Sequence, residues 1–314
     1  MLVAVVIATV LMVTGGSPAD ATAPGENGRI AFRRYFNAAQ TRGAIFTINP
    51  DGTGIRQLTH RGNDLLDTEP DWSPDGKWIA FQRVAPGKPS RLFKMRANGT
   101  HLTRLGDNPC AAGSCVEDVA PLWSPDGNQI VFTRFDNDDG MVYVMRSDGT
   151  HVRQVQGTAR YGGGFAQWSP DGTRLVFSGV KDTGGMAVFT IRLKGTHARR
   201  LTPWKLHAGG GDWSSNGRWI LLESHGGQDR QDNLYLVHPN GTDLHKITSS
   251  PAHVHQWGSY SFSPDGTMIT VAHNVSGDQN PDVWVMNLDG SGLRNVTDSA
   301  IFDSAPDWGP RQAR

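Results

Sequence analysis

A short motif recurs along the chain: DWSPDGKWIAF at Asp71, LWSPDGNQIVF at Leu122, QWSPDGTRLVF at Gln167, DWSSNGRWILL at Asp212 and SFSPDGTMITV at Ser261, with a truncated sixth copy, APDWGP, near the C-terminus. Its aromatic anchors, Trp72, Trp123, Trp168, Trp213, Phe262 and Trp308, stand 51, 45, 45, 49 and 46 residues apart. A period of this length is too long for a leucine-rich coil and fits a four-stranded propeller blade. A second motif runs out of phase with the first: IFTINPDGTGIRQLT, LFKMRANGTHLTRL, VYVMRSDGTHVRQV, VFTIRLKGTHARRLT, LYLVHPNGTDLHKIT and VWVMNLDGSGLRNVT. Each copy alternates as a strand does, turns at an Asn-Gly or Asp-Gly pair, and alternates again, which is a hairpin signature. Lys194-Gly195 departs from the favoured pair and keeps the Gly.

Every repeat thus supplies four strands, named A to D in chain order. The first repeat, from Gly28, lacks strand A, and the chain ends with an unpaired strand A at Ala305 to Trp308. Placing that last strand in the first blade removes an exposed sheet edge. The expectation is an all-β fold: one six-bladed β-propeller of four-stranded antiparallel blades over residues 28–310, closed by a 3+1 clasp between the N- and C-terminal strands.

The repeated Trp-Ser-Pro-Asp-Gly turn with its Asp-Gly-Thr hairpin resembles the TolB-like family of WD-like propeller repeats, across essentially the whole of residues 28–310. The resemblance implies the propeller fold. The founding members carry an additional N-terminal α/β domain, for which the segment ahead of Gly28 has no room, so their envelope-complex role is not expected to carry over.

Composition agrees with a turn-dense β chain: 38 Gly, 18 Pro and 19% charged residues. With 30 Lys and Arg against 30 Asp and Glu there is no net positive charge to neutralise phosphates, which argues against nucleic acid as a partner. Leu2 to Val13 form an apolar run of 12. As a helix it would reach about 18 Å and cannot cross a core of about 30 Å. With Ala19-Asp20-Ala21 or Ala21-Thr22-Ala23 behind it, residues 1–23 read as a signal peptide, so export to the periplasm, cell surface or medium is expected, with no membrane span in the mature chain. Cys110 and Cys115 are the two cysteines; in an exported chain they read as a disulfide closing a small loop, worth roughly 2 kcal/mol at most.

Residues common to all repeats serve the blade. Binding is expected where the repeats differ, on the face formed by B–C loops and blade-to-blade connections. Pairing strand A with strand B so that Trp72 faces Trp78 sets Asp67 opposite Arg83 and Asp118 opposite Arg134, with Arg34 and Asp303 in the same columns across the clasp. These read as cross-strand ion pairs at the mouth. The remaining blades carry Gly163/Gly179, Ala208/Ser224 and Trp257/His273 in those columns. Tyr161, His207, Glu223, Trp257 and His273 are the candidate ligand-binding residues, and His207, His253, His255 and His273 a candidate pool for a divalent metal, neutral imidazole being a common ligand. His253-Val254-His255 is faintly similar to oligogalacturonate lyases, propellers of different blade number with a histidine-ligated metal in the central pocket; a Gln precedes their His pair where Ser250 stands here. No Gly-x-Ser-x-Gly elbow or phosphate loop occurs. The reading is a monomeric noncatalytic module binding an envelope or extracellular protein or a small carbohydrate-like ligand. The alternative is a metal-dependent lyase or hydrolase acting on a carbohydrate or lactone.

Overall fold

The computed structural model describes residues 24–60, 64–107, 110–111, 114–136, 139–181, 184–225, 232–249, 257–274 and 280–312. The apolar N-terminal run, Ser250, His253 and His255 lie outside them. The chain is an all-β propeller whose helical content, among the described residues, is two single 3-10 turns, Ala159–Tyr161 and Trp204–Leu206.

Four repeats form separate four-stranded antiparallel sheets, built from the strands within residues 117–154, 164–200, 208–246 and 257–295. Of the remaining strands, two form the short ribbon Cys110–Ala111 with Ser114–Cys115 and eight are hydrogen-bonded into one sheet, whereas the sequence predicts six separate blade sheets. The cause is local. Strand Gly43–Ile48 meets strand Leu66–Trp72 at a single parallel bridge, Gly43 to Leu66, reinforced by the Gly43 N–H donating to Leu65 O. On one side of that bridge, Asp303–Pro310 pairs antiparallel with Asn27–Tyr35, so the C-terminal strand completes the first repeat.

Each anchor ring packs on the preceding repeat. Trp72 lies with Ala31, Ile45 and Leu58; Trp123 with Ala80, Leu92 and Leu105; Trp168 with Val131, Val142 and Val144. Trp213 lies with Val176 and Val188, Phe262 with Leu221 and Leu234, and Trp308 with Val283, Val285 and Val296, returning to the start of the ring. The core is therefore a series of interfaces between neighbouring repeats.

Strand A differs from its expected register. Trp72 pairs with Ile79, not Trp78, yet Asp67 still meets Arg83. Between Thr68 and Asp71 the register shifts by one residue, and Glu69 adopts φ 53°, a β-bulge with its extra residue left-handed. Ala120, Phe165, Gly210, Ser259 and Ala305, each three residues before its anchor ring, have positive φ as well. Every strand A thus reaches the ring through the same bulge, which re-aims its first half.

Candidate functional site

At the end of the ring holding the A–B turns the chemistry is uniform. Ser73 Oγ donates to Asp75 Oδ1 at 2.7 Å, and accepts from the Trp78 N–H at 2.9 Å. The motif repeats at Ser124, Ser169, Ser214 and Ser263. Burial works against ionisation of Asp75, but the Ser73 hydroxyl and Lys77 N–H prevail and hold its carboxyl below the ordinary range.

The opposite end varies at one structural position, near the end of strand B. In the first three repeats it holds a guanidinium. Arg34 donates to Asp303 at 2.7 and 2.6 Å, Arg83 to Asp67 at 2.5 and 2.8 Å, and Arg134 to Asp118 at 2.7 and 2.9 Å. All three acids are buried, and each guanidinium lies over two rings: Phe32 and Phe46, Phe81 and Phe93, Phe132 and Tyr143. Bidentate, ring-stacked pairs of this sort are fixed far more firmly than exposed ones. Burial raises the Asp303 carboxyl above its ordinary range although Arg34 opposes it.

In the fourth repeat the position is Gly179, and Tyr161 fills the space, its ring 4.6 Å from Phe189 and 6.1 Å from Phe177. In the fifth, Ser224 Oγ donates to Leu206 O at 2.8 Å. In the sixth, the buried His273 ring stacks on Trp257 at 4.0 Å and 11°, with Trp284 edge-on at 5.2 Å. One scaffold position therefore carries four different caps.

The preceding residue of strand B joins neighbouring repeats. Gln82, Thr133 and Ser178 accept the N–H of the next repeat's bulge residue, Ala120 at 3.4 Å, Phe165 at 2.7 Å and Gly210 at 2.8 Å. Arg33 donates to Thr68 Oγ1 at 2.6 Å and to Ser304 Oγ. Glu223 occupies this position in the fifth repeat. Burial, and then the neighbouring Asp232, raise its carboxyl well above the ordinary glutamate range. Burial followed by Glu223 and Asp212 likewise raises Tyr260, whose hydroxyl donates to Gly209 O at 3.3 Å. Gly210 is required here, because a Cβ would collide with that hydroxyl.

The candidate ligand residues thus stand in different settings. Glu223 and His273 are interior, whereas Tyr161, Trp257 and His207 are half-buried. His207 has φ 49° and closes the Trp204–Leu206 turn through its N–H. Among the described residues no group of three His, Cys, Asp or Glu is placed to hold a metal. Cys115 is disulfide-bonded and lies opposite Cys110 in the backbone register of a two-stranded ribbon.

Two features had no sequence signal. Phe36 (45% exposed) and Ile301 (44% exposed) flank Tyr35 and Phe302, whose rings meet edge-on at 5.1 Å, and form an apolar patch at the variable end. Single apolar residues in loops have no period to betray them. The residue before the anchor ring also acts across repeats: Asp307 accepts the Trp72 N–H at 2.7 Å, Asp71 that of Trp123 at 2.5 Å, and Asp212 that of Phe262 at 2.6 Å.

Residues 106–257 match the family described as TolB beta propeller domain. A protein TolB homolog of Chlorobaculum tepidum is 30% identical over 111 residues, covering 35% of this chain and 23% of that protein, so the alignment spans under a quarter of the relative's length. The crystal structure of TolB from Acinetobacter baumannii superposes with a TM-score of 0.74 at 22% identity, covering 98% of this chain and 71% of that one. An oligogalacturonate lyase from Vibrio parahaemolyticus superposes with a TM-score of 0.54 at 12% identity, covering 78% and 72%. At these identities the two superpositions speak for the fold alone.

Proposed function

Because the chain belongs to the TolB-like propeller family, we propose that it is an exported, six-bladed ring acting as a noncatalytic binding module through its variable end. The blade number rests on the sequence of inter-repeat cores, in which six anchor rings each pack on the preceding repeat and Trp308 packs on the sixth. The eight-stranded sheet then counts as two blades touching at one bridge. Export rests on the apolar N-terminal run and on the family, and the envelope is the compartment it favours.

The observation that carries the binding reading is the contrast between the two ends. One end is crowded with equivalent turn networks in which the Ser donates to Asp or, at Ser214, to Asn216, while arginine–carboxylate pairs, a tyrosine, a serine and a histidine–tryptophan stack alternate at the other, beside exposed Phe36 and Ile301. Varied chemistry on a rigid frame is how loop faces acquire partners, and an apolar patch suits an envelope or extracellular protein. A photo-crosslinking residue placed at Phe36 or Ile301 should trap that partner, and one at Lys77 or Arg218 in the uniform turns should not. Adducts confined to the turn end would overturn this reading.

A metal-dependent lyase or hydrolase acting on a carbohydrate or lactone is the second reading, favoured by His207 and His273 near the variable end and by the shared fold with a lyase. Its metal would be drawn from His207, His253, His255 and His273. His273 is held between two indoles, so it must leave that stack to ligate. Metal content of the purified protein, before and after changing His253 and His255 to Ala, separates the readings.

A further inference from the structure

The fourth repeat breaks the turn rule that its neighbours keep. At the C–D turn, Asp51, Asn98, Asp148, Asn240 and Asp289 each accept two hydrogen bonds from the Thr or Ser two residues on, through its N–H and its hydroxyl. Lys194 stands at that position in the fourth repeat and has no acceptor to offer. The substitution costs the turn its local support and adds a cation. A residue that breaks a local rule without structural gain marks a place to look for function.

The surroundings extend the same sign. Between Asp182 and Asp212 the chain carries Arg192, Lys194, Arg199, Arg200 and Lys205 and no acid. All five are exposed, and none makes an ion pair among the described residues. A charged residue on an outer strand protects a sheet edge, and single basic residues do so at Arg56, Arg104, Arg153 and Arg294. The fourth repeat has two in tandem, Arg199–Arg200, with three more around them. The stripe follows strand Gly185–Arg192 from the turn at Lys194 to Trp204, whose side chain rests beside Gly185. Eight residues at about 3.3 Å each make it about 25 Å long. At its end stands the half-buried Trp204, its ring centroid 5.6 Å from that of Phe189 and 5.5 Å from the Arg200 guanidinium.

We infer that this outer edge binds a carboxylated polysaccharide, independently of the variable end. Five cations spread over that length match a polymer bearing one carboxylate per sugar, and the exposed part of the Trp204 ring offers apolar surface to a pyranose. Duplex nucleic acid is a poorer match. At one charge per about 1.7 Å, the same length would present roughly 15 negative charges to five positive ones on a protein of zero net charge.

The test is fluorescence anisotropy of labelled alginate with the purified protein, alongside neutral dextran and a DNA duplex. Alginate should bind at about 50 mM salt and weaken steeply as salt rises, and dextran should not bind. The variant R192Q/K194N/R199Q/R200Q, which restores the turn acceptor, should lose about tenfold or more in affinity while melting no lower than wild type. K194N/K205Q provides a milder change with an intermediate loss. Absence of alginate binding, equal binding by wild type and both variants, or tighter binding of DNA than of alginate at the same salt would overturn the inference.

Discussion

Trp123 and Trp168 occupy equivalent places in successive repeats and differ in the company of one atom. Trp168 Nε1 donates to Leu122 O at 3.2 Å, whereas Trp123 Nε1 is buried without a hydrogen-bond partner. Replacing each by Phe, the residue the sixth repeat uses, should cost about 1 kcal/mol more at Trp168, measured by urea denaturation, because only there is a hydrogen bond lost. Glu223 carries the other residue-scale prediction. Its pKa is raised by folding, so its contribution is complete below the unfolded value of about 4.3 and is lost as pH climbs through the folded value. Glu223→Gln should therefore flatten the decline in melting temperature above about pH 4.3 and leave the variant more stable than wild type at neutral pH. A parallel pH profile in the two proteins would contradict the assignment. The anchor rings were legible in the sequence because burying a large apolar side chain at a fixed period leaves a mark. Asp71, Asp212 and Asp307 were not, because the amide each one satisfies belongs to a different repeat and no local pattern records it.

Strand A teaches a lesson about register. Two departures, the Trp72–Ile79 pairing and the bulge at Glu69, cancel, so Asp67 and Arg83 meet where a simple ladder also sets them. The ion-pair columns were thus legible although the path to them was not; positive φ at Glu69 or Ala120 has no glycine to announce it. Asp67→Ala should cost about 3 to 5 kcal/mol in denaturant unfolding, since it strands a guanidinium only 11% exposed. The double change Asp67→Leu with Arg83→Met should recover much of that loss. At the bulge, Ala120 holds φ 51°, a conformation glycine adopts more easily. Ala120→Gly is expected to stabilise the protein by up to about 1 kcal/mol, the relief of strain exceeding the entropy glycine brings. A destabilised variant would show that the Ala120 methyl is needed for packing.

On the scale of the molecule, closure was readable because the first repeat lacks the strand that the chain's end supplies. Fusion of two repeats into one sheet was not, since it turns on the single bridge between Gly43 and Leu66. Deleting residues 303–312 should abolish a single cooperative thermal transition, as it removes Trp308 and exposes the edge of strand Asn27–Tyr35. The inter-repeat carboxylates carry a further consequence. Asp307, Asp71 and Asp212 each fasten the next repeat, and Ser261 does so for Trp308 at 3.4 Å. The Leu122 side chain has no acceptor to offer at that position, and both polar atoms of the Gln167 side chain are buried without a partner. Those two seams are the ones on either side of the fourth repeat, which also bears the cationic edge. A closed ring has no natural end from which to unravel. The fourth repeat, whose seams rest on bonds such as Phe165 N–H to Thr133 and Gly210 N–H to Ser178 without a carboxylate, is expected to be its weakest segment. Slow hydrogen exchange should find it, with amides of residues 164–200 opening at lower free energy than those of the repeats locked by carboxylates.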